Sequence, residues 1–159
     1  MVIGYANRHH LRATSVRLFN VVGARQTRVV VPAFLDQARR NTAIAVHGDG
    51  TQTRCFTDVR DAVEGLVRLA DCDEAVGEAV NIVSRFEFSI RELAQHVKTV
   101  TISDSAIEMV PYEYDMVPSR VPCLSKARRL IGYSAVHPVR DSIREIVALD
   151  DGAITTGLV

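Results

Sequence analysis

Residues 13–19, Ala-Thr-Ser-Val-Arg-Leu-Phe, follow a helix-like segment at positions 3–10 and form a run rich in β-branched and apolar side chains. Such runs are typical of strands buried in parallel sheets, and this one is too apolar to be exposed on both faces. A helix that leads into a strand of this kind predicts an α/β fold. With 159 residues, 47% of them apolar, the chain is long enough for one domain with a substantial core.

Helix start and stop signals predict further elements. Asp58 is placed to cap a helix, and Ser89 with Glu92 forms a capping box at the start of another at 90–97. Pro32 suits the first position of a helix, and Gly132 suits the end of one that spans 125–130. The helix after Asp58 is expected to carry an apolar stripe made of Val59, Val63, Leu66, Val67 and Ala70.

Short apolar runs predict strands at 43–46, at 78–83 and at 107–110, the first of which ends in the Gly48-Asp49-Gly50 turn. A last helix is expected from Pro138 to about position 147, and the tail at 150–159 is expected to be frayed. No repeat or linker divides the sequence, so residues 1–149 are expected to form one unit.

Composition excludes several classes of function. Nineteen basic residues balance nineteen acidic ones, which removes the bulk attraction to nucleic acid or to an anionic membrane. No apolar run is long enough to cross a membrane and no secretory signal begins the chain, so a soluble cytoplasmic protein is expected. The three cysteines, at 55, 72 and 123, predict neither a disulfide framework nor a metal site.

Two glycine-bearing loops carry the candidate binding groups. Asn20 follows the strand at 13–19, where ligands of open parallel sheets lie, and Arg25 stands in the loop after it. The segment 47–54 combines two glycines, hydroxyls and Arg54, a set of groups suited to a diphosphate or a base edge. Each loop has a plainer interpretation, because asparagine is common in turns and 47–54 could be a hairpin turn with a solvated arginine.

The order of motifs resembles one enzyme family. Its members carry segments similar to Arg-Leu-Phe-Asn-Val-Val-Gly-Ala-Arg-Gln at 17–26, Val-Pro-Ala-Phe-Leu-Asp-Gln-Ala at 31–38 and Val-His-Gly-Asp-Gly-Thr-Gln-Thr-Arg-Cys-Phe-Thr-Asp-Val-Arg-Asp-Ala at 46–62. Segments 77–82, 89–94 and 120–127 are similar to its late strand, the following helix and its substrate-clamping segment. This is the family of NAD-dependent nucleotide-sugar epimerases, dehydratases and decarboxylases, which are extended short-chain dehydrogenase/reductases.

The resemblance implies the C-terminal part of a Rossmann-type parallel sheet plus a small mixed α/β lobe around residues 25–58 and 101–137. It also implies roles: an amide for the diphosphate at Asn20, two arginines that neutralise it, a base-side contact at Gln52, and Phe19 beside the nicotinamide of NAD. His47 stands where an aromatic residue usually stacks beside the base. The predicted substrate-binding residues are Asn20, Arg25, Val30, Val31, His47, Gln52, Arg54 and Arg120.

Several departures from the family pattern affect the predicted activity. The Tyr-x-x-x-Lys pair that transfers protons in the family is absent, since the residue four positions after Tyr5 is His9. The glycine-rich dinucleotide loop is also missing, two loops near 27 and 112–120 are short, and Cys123 replaces a usual aspartate. A truncated chain is therefore expected, with no catalytic residue and no NAD binding by this chain alone.

The first hypothesis is the substrate-binding half of an NAD-dependent nucleotide-sugar enzyme that is inactive alone. It resembles a UDP-glucose 4-epimerase or a UDP-glucuronate decarboxylase, and 4-epimerase-like chemistry on a UDP-sugar is favoured. The second is a non-catalytic module that binds a nucleoside diphosphate or nucleotide sugar, or that regulates a full-length homologue. A third is an interaction protein without a ligand. Strand edges left uncovered by the missing segment predict a homodimer or a higher assembly.

Overall fold

The computed structural model describes residues 2–27, 29–111 and 118–150, with the side chains of Arg120 and Asp150 excepted. Its helices are α1 (Val2–Arg8), α2 (Val30–Arg39), α3 (Val59–Ala70), α4 (Ile90–Val100), α5 (Ser125–Ile131) and α6 (Val139–Asp150). Its strands are β1 (Ser15–Leu18), β2 (Val21–Val22), β3 (Ile44–His47), β4 (Thr53–Cys55), β5 (Thr57–Asp58), β6 (Ala79–Ile82), β7 (Glu87–Ser89), β8 (Ile107–Val110) and β9 (Ser119–Arg120). The tail predicted to fray lies outside the described residues from position 151 onward.

Parallel strand pairing dominates the sheets. β1 pairs with β6, β2 with β5 and β3 with β8, all in parallel, and β4 lies between antiparallel β7 and parallel β9. Parallel pairs joined through helices are typical of α/β proteins, so the predicted fold class is confirmed. No helix within the described ranges combines the length and the apolar character that a membrane crossing requires.

The chain leaves one sheet and enters another at residues 48–52. β3 pairs with β8, whereas the next strand, β4, pairs with β7 and β9, so the hairpin interpretation of this turn is wrong. Gly48 and Gly50 have φ of 76° and 75°, the left-handed region in which glycine carries no steric penalty. At Gly50 a Cβ would also meet Val46 Cγ1 at 2.9 Å. These glycines turn the backbone from one sheet to the other.

Two hydrophobic clusters hold these elements. The first lies between α2, β3, α4 and α6, and its buried members are Val22, Val31, Phe34, Leu35, Ala38, Ile44, Val46, Phe56, Leu93, Ala94, Val97, Val139, Ile143 and Ile146. The second lies between β6, α3 and α5, and consists of Leu69, Ala75, Val80, Ile82, Ala127, Tyr133 and Ala135. The buried side of α2, formed by Val31, Phe34, Leu35 and Ala38, belongs to the first cluster.

Helix α3 forms where the sequence predicts it, but its apolar stripe faces outward. Asp58 caps the helix by accepting a hydrogen bond from the Arg60 backbone N–H at 2.7 Å. All five stripe residues, Val59, Val63, Leu66, Val67 and Ala70, are exposed, and the buried positions are instead Asp61, Ala62, Gly65 and Leu69. Small residues face inward because the sheet lies close, and a Cβ on Gly65 would come within 2.9 Å of Ile82 Cδ1.

Two other expectations need correction. Helix α2 begins at Val30, so Pro32 is its third residue and not its first. The third position tolerates proline for the same reason as the first, because the first four N–H groups of a helix have no intrahelical acceptor.

The sequence predicts that strand β1 is buried on at least one face. In the structure, however, the two residues of its carboxyl half, Arg17 and Leu18, are both exposed. Among the described residues β1 has a strand partner on one edge alone, β6.

A buried polar layer surrounds the start of α3. Asp58 accepts hydrogen bonds from Arg60 Nε and Nη2 at 2.9 and 2.8 Å and from the Ser142 hydroxyl of α6 at 2.6 Å. Asp61 accepts from the backbone N–H groups of Val136 and His137 at 3.2 and 3.0 Å. Both carboxylates are almost fully buried, so these donors replace the water that folding removes.

We expect Gly65→Ala to destabilise the protein by about 1–3 kcal/mol, because the new methyl group overpacks against Ile82 and Tyr133. Gly4→Ala in α1 is the matched control, since a Cβ there meets nothing within 4 Å, and it should be neutral or stabilising by about 0.5–1 kcal/mol. Urea unfolding followed by circular dichroism measures both. Equal midpoints for the two variants would refute the close packing of α3 on β6.

Asp58→Asn should lower the free energy of unfolding by about 1.5–3 kcal/mol at pH 7, because the hydrogen bonds from Arg60 and Ser142 lose a charged acceptor, although Arg60 keeps its ion pair with Glu145. Burial alone would raise the pKa of Asp58, but the hydrogen bonds from Arg60 and Ser142 outweigh burial and lower it. A lowered folded-state pKa gives stability that is present above the unfolded value of about 3.9 and is lost as pH falls through the folded value.

Unfolding titrations between pH 7 and 2.5 should therefore show the wild-type advantage over Asp58→Asn shrinking at acidic pH. Asp104→Asn, at an exposed position, is the control and should change stability by less than about 0.5 kcal/mol at pH 7. Parallel pH curves for wild type and Asp58→Asn would contradict the assignment of this linkage to Asp58.

Candidate functional site

The candidate site begins at the carboxyl end of β1. Asn20 adopts φ of 38°, in the left-handed region that asparagine tolerates better than most residues. Its Nδ2 donates to the Cys55 carbonyl oxygen at 2.9 Å, and its own carbonyl accepts from the Thr57 backbone N–H at 3.1 Å. These bonds join the end of β1 to the β4–β5 segment, so Asn20 lies next to the residue that follows Arg54.

A small cavity of about 30 Å³ lies beside Asn20. Gln26 contributes to its wall and donates from Nε2 to the Val21 carbonyl at 2.9 Å. The Gln26 Oε1 atom is buried and has no hydrogen-bond partner within the described chain. The complete lining is Asn20, Val21, Val22, Gln26, Val29, Val30, Val31 and Phe56.

A second cavity of about 170 Å³ shares Val30 with the first, so the two adjoin. Gln52 is 6% exposed and donates from Nε2 to the His47 carbonyl at 2.8 Å. Its Oε1 is buried and finds no donor among the residues that the structure describes. The lining of this cavity is Val30, Phe34, Ala45, His47, Gln52, Arg54 and Ile90.

Arg54 of β4 contributes positive charge to the site. The half-buried Arg54 donates from Nη1 to the Thr53 carbonyl at 2.6 Å and has no carboxylate within salt-bridge distance in the described ranges. The parallel register of β4 and β9 sets Arg54 opposite Arg120, whose side chain lies outside the described residues. A guanidinium without a carboxylate partner, beside a second arginine in the register, is suited to an anionic ligand.

The structure thus brings together six of the predicted substrate-binding side chains and separates a seventh. Arg25 is exposed, with φ of 67°, and lines neither of the two adjoining cavities. Phe19, predicted for the nicotinamide side, also lines neither, and its carbonyl accepts from the Thr57 hydroxyl at 3.0 Å. The side chains that share the two cavities are Asn20, Val30, Val31, His47, Gln52 and Arg54.

The sequence did not predict the apolar side chains that line the two cavities, or the Gln26 and Gln52 amide oxygens that lack a hydrogen-bond donor. Phe34 and Ile90 line the larger cavity from the starts of α2 and α4, and Phe56 lines the smaller one. Their helical or strand periodicity marks them as core residues, so no sequence signal distinguishes an apolar residue that lines a cavity from one that is buried in the core. Gln26 could have been predicted as a site residue from the sequence, because it follows Arg25 in the same loop.

The loop after Asn20 rests directly on helix α3. A Cβ on Gly23 would lie 2.6 Å from Val59 Cγ1 and 2.9 Å from Val59 Cβ. Real Cβ atoms do not approach other atoms so closely, so only glycine allows the loop to pass at this distance. Gly23 therefore fixes the position of the loop that carries Gln26.

Two other features do not belong to this site. A larger concavity of about 470 Å³ lies at the starts of α4 and α6 and shares no lining residue with the two cavities. In its wall Glu92 forms the capping box with Ser89, and Arg140 lies over the Phe88 ring at 5.5 Å. Within the described part of the chain, no group of three or more His, Cys, Asp or Glu side chains is arranged to hold a metal ion.

Comparison with known sequences identifies relatives. A model of the NAD-dependent epimerase/dehydratase family matches residues 1–83. The chain is 37% identical over 148 residues to UDP-N-acetyl-alpha-D-glucosaminuronate decarboxylase of Bacillus cytotoxicus, a match that covers 87% of this chain and 44% of that protein. It is 35% identical over 146 residues to UDP-glucuronic acid decarboxylase 6 of Arabidopsis thaliana, covering 90% of this chain and 42% of that protein. The chain thus spans less than half the length of these curated relatives.

Solved structures share the fold. The epimerase Mth375 of Methanothermobacter thermautotrophicus superposes with a TM-score of 0.86 at 27% identity, covering 96% of this chain and 47% of that one. UDP-glucuronic acid 4-epimerase of Bacillus cereus, in complex with UDP-glucuronic acid and NAD, superposes with a TM-score of 0.84 at 22% identity, covering 92% and 48%. The predicted relation to Rossmann-type epimerases and dehydratases is confirmed.

Thiol reactivity provides a test of the geometry around β4 and α5. The exposed Cys123 has its pKa lowered by hydrogen bonds with Ser125, whereas burial, followed by the charge of Glu87, raises the pKa of Cys55. We expect iodoacetamide at pH 8 to alkylate Cys123 first and Cys55 last, because the thiolate is the reactive form. Peptide mass spectrometry follows each site, and Ser125→Ala should slow alkylation at Cys123. Cys55 reacting as fast as Cys123 would show that β4 is not buried as described.

Proposed function

The chain belongs to the NAD-dependent epimerase/dehydratase family, and from this membership we propose that it supplies the nucleotide-binding part of a nucleotide-sugar enzyme. The ligand is a nucleoside diphosphate carrying a sugar, most simply a UDP-sugar. Its diphosphate lies near Asn20 and Arg54, and its base lies toward Val30, His47 and Gln52. Arg120 is proposed as the second cation for the diphosphate.

The observation that carries this proposal is the Gln52 oxygen. Gln52 lines the larger cavity, and its buried Oε1 has no donor among the described residues. A buried amide oxygen without a donor costs about 1–3 kcal/mol, so a ligand in this cavity that donates an N–H group to Gln52 would remove that cost. Pyrimidine bases with an imide N–H have such a donor on their edge. The Arg54 guanidinium lines the same cavity, which supports an anion attached to that base.

The size of the cavities supports binding of part of a ligand and not of the whole. About 170 Å³ and 30 Å³ together fall below the roughly 300–1,000 Å³ typical of complete small-molecule sites. We infer that these residues hold the nucleotide end. The sugar then extends toward residues outside the two cavities, including those of the β9 segment.

Two reactions are candidates for the complete enzyme. The sequence motifs resemble both a UDP-sugar 4-epimerase, which they favour, and a UDP-glucuronate decarboxylase. The curated relatives named above are decarboxylases of UDP-linked uronic acids, and at 35–37% identity they support the second candidate, with a UDP-uronic acid as the sugar nucleotide. Both candidates place the same nucleotide in the cavities, so nucleotide binding tests the part that they share.

NAD supplies hydride transfer in this family, and the residues of this chain do not fit a complete NAD site. Phe19 is the one position of this chain assigned to the nicotinamide side. The sequence also lacks the glycine-rich loop that holds a dinucleotide pyrophosphate. We therefore propose that the 159-residue chain binds the sugar nucleotide without binding NAD, and we derive no chemical step through NAD.

UDP should raise the melting temperature of this chain and bind measurably in calorimetry, while NAD should do neither. Arg54→Ala should weaken UDP binding about 10- to 100-fold, since a hydrogen bond to a charged group contributes about 1.5–3 kcal/mol. Gln52→Leu should weaken it about 2- to 10-fold through loss of one neutral hydrogen bond. Arg144→Ala, which removes an exposed arginine of α6, is the matched control and should leave binding unchanged.

Uridine, which has the base but no diphosphate, tests the base contacts separately from the diphosphate contacts. Gln52→Leu should weaken uridine binding as it weakens UDP binding, whereas Arg54→Ala should have no effect on uridine because the diphosphate is absent. Equal affinity of Arg54→Ala and Arg144→Ala for UDP would refute the diphosphate site. Tight NAD binding by this chain would refute the proposed division of the two ligands. Turnover of a UDP-sugar would do the same.

A further inference from the structure

We propose that the small cavity beside Asn20 binds one ordered water molecule, and that this water caps the N-terminus of helix α2. The water donates a hydrogen bond to Gln26 Oε1 and accepts hydrogen bonds from the backbone N–H groups of Val30 and Val31. The inference does not depend on the identity of the nucleotide, whose base is proposed for the larger cavity.

The Gln26 amide has a partner for its nitrogen but not for its oxygen. Its Nε2 donates to the Val21 carbonyl at 2.9 Å, whereas Oε1 is buried and has no donor within the described ranges. Withdrawing an amide oxygen from bulk water is costly unless another donor replaces the water. Because Gln26 lines the small cavity, a molecule in that cavity with an O–H or N–H group would remove the cost.

Helix α2 begins at the same cavity without a capping side chain. Its N-cap residue is Val29, which has no side-chain acceptor, and the cavity is lined by Val29, Val30 and Val31. The first N–H groups of a helix have no intrahelical acceptor, and Pro32 has no N–H group. The N–H groups of Val30 and Val31 therefore remain, and neither has an acceptor among the residues that the structure describes.

The volume of the cavity is that of a water site. About 30 Å³ exceeds the roughly 10–15 Å³ that one buried water requires, and it is far below the roughly 300 Å³ at which small-molecule sites begin. A buried water also requires about two to four polar partners. Gln26 Oε1 and the two N–H groups supply them, while Val22 and Phe56 close the rest of the wall with apolar groups.

The combination of donors and an acceptor selects a neutral molecule over an ion. A cation would be repelled by the positive end of the α2 dipole, and an anion would be repelled by the oxygen of Gln26. None of the described residues that line the cavity has an ionisable side chain to compensate a charge. Water donates and accepts at the same time, so it satisfies both sets of groups.

The water connects the loop after β2 to the wall that the two cavities share. Gln26 belongs to the loop that Gly23 positions against α3, and Val30 lines both cavities. A bridging water is nearly as favourable in enthalpy as a direct hydrogen bond. The bridge from Gln26 to Val30 therefore holds the start of α2 at a fixed distance from this loop.

A high-resolution crystal structure of the complete chain and NMR measurement of water–amide cross-relaxation test the site, both without nucleotide. We expect one density peak at about 2.7–3.2 Å from Gln26 Oε1, together with water cross-peaks at the Val30 and Val31 amides. Crystals soaked in bromide should show no anomalous peak in the cavity, whereas an anion site would produce one. Since no nucleotide is present, a failure of UDP binding would not alter these results.

Gln26→Met and Gln26→Glu form a matched pair of variants. Both remove the hydrogen bond from Nε2 to the Val21 carbonyl, but only Gln26→Met removes the side-chain oxygen at the cavity. Glutamate has the same length as glutamine, so its oxygens reach no further than Oε1. The density peak and both cross-peaks should disappear in Gln26→Met and remain in Gln26→Glu, while circular dichroism establishes that both variants are folded.

Four outcomes would overturn the proposal. The first is a wild-type cavity that shows neither density nor cross-peaks. The second is density without cross-peaks, which would indicate a water that exchanges too fast to cap the helix. The third is an anomalous bromide peak, which would assign the cavity to an anion. The fourth is a water that persists in Gln26→Met or is lost from both variants, since the Gln26 oxygen would then not hold it.

Discussion

The start of helix α3 is the point on which the rest of the structure depends, because two carboxylates are buried there within four residues. Asp58 and Asp61 together accept hydrogen bonds from Arg60, Ser142 and the 136–137 backbone. The His137 ring nitrogen Nδ1 also lies 2.7 Å from Asp61. A buried charge without such partners is strongly destabilising, so the carboxylates force α6 and the 136–137 segment into place around α3. The same Asp58 ends β5, which pairs with β2 beside the smaller cavity.

Local signals in the sequence were sufficient for most elements. The Asp58 cap, the Ser89–Glu92 capping box and the left-handed Gly132, with φ of 61°, all occur where the residue types predict them. Each of these depends on hydrogen bonds or sterics within a few residues, which the sequence displays directly. Four residues expected around one nucleotide, Val30, His47, Gln52 and Arg54, line one cavity.

Other features were not predictable because they depend on distant partners. The stripe on α3 has helical periodicity whichever side the sheet occupies, and the nearby Ile82 and Tyr133 decide that the small residues face inward. The turn at 48–52 has the composition of a hairpin, and only the pairing of β3 with β8 separates the two strands that flank it. The missing donor to Gln52 Oε1 is likewise a property of the folded surroundings.

The contact between Gly23 and Val59 connects helix α3 with the small cavity. Val59 belongs to the exposed apolar stripe of α3, and Gly23 follows β2 in the segment between Asn20 and Gln26, which line that cavity. With no space between them, the loop cannot shift toward α3 unless Val59 moves. A neighbour that immobilises Val59 therefore restricts the loop, and a ligand that immobilises the loop restricts Val59. In a sequence with a larger residue at position 23, the backbone could not pass α3 at this distance, so the loop that carries Gln26 would have to take another path.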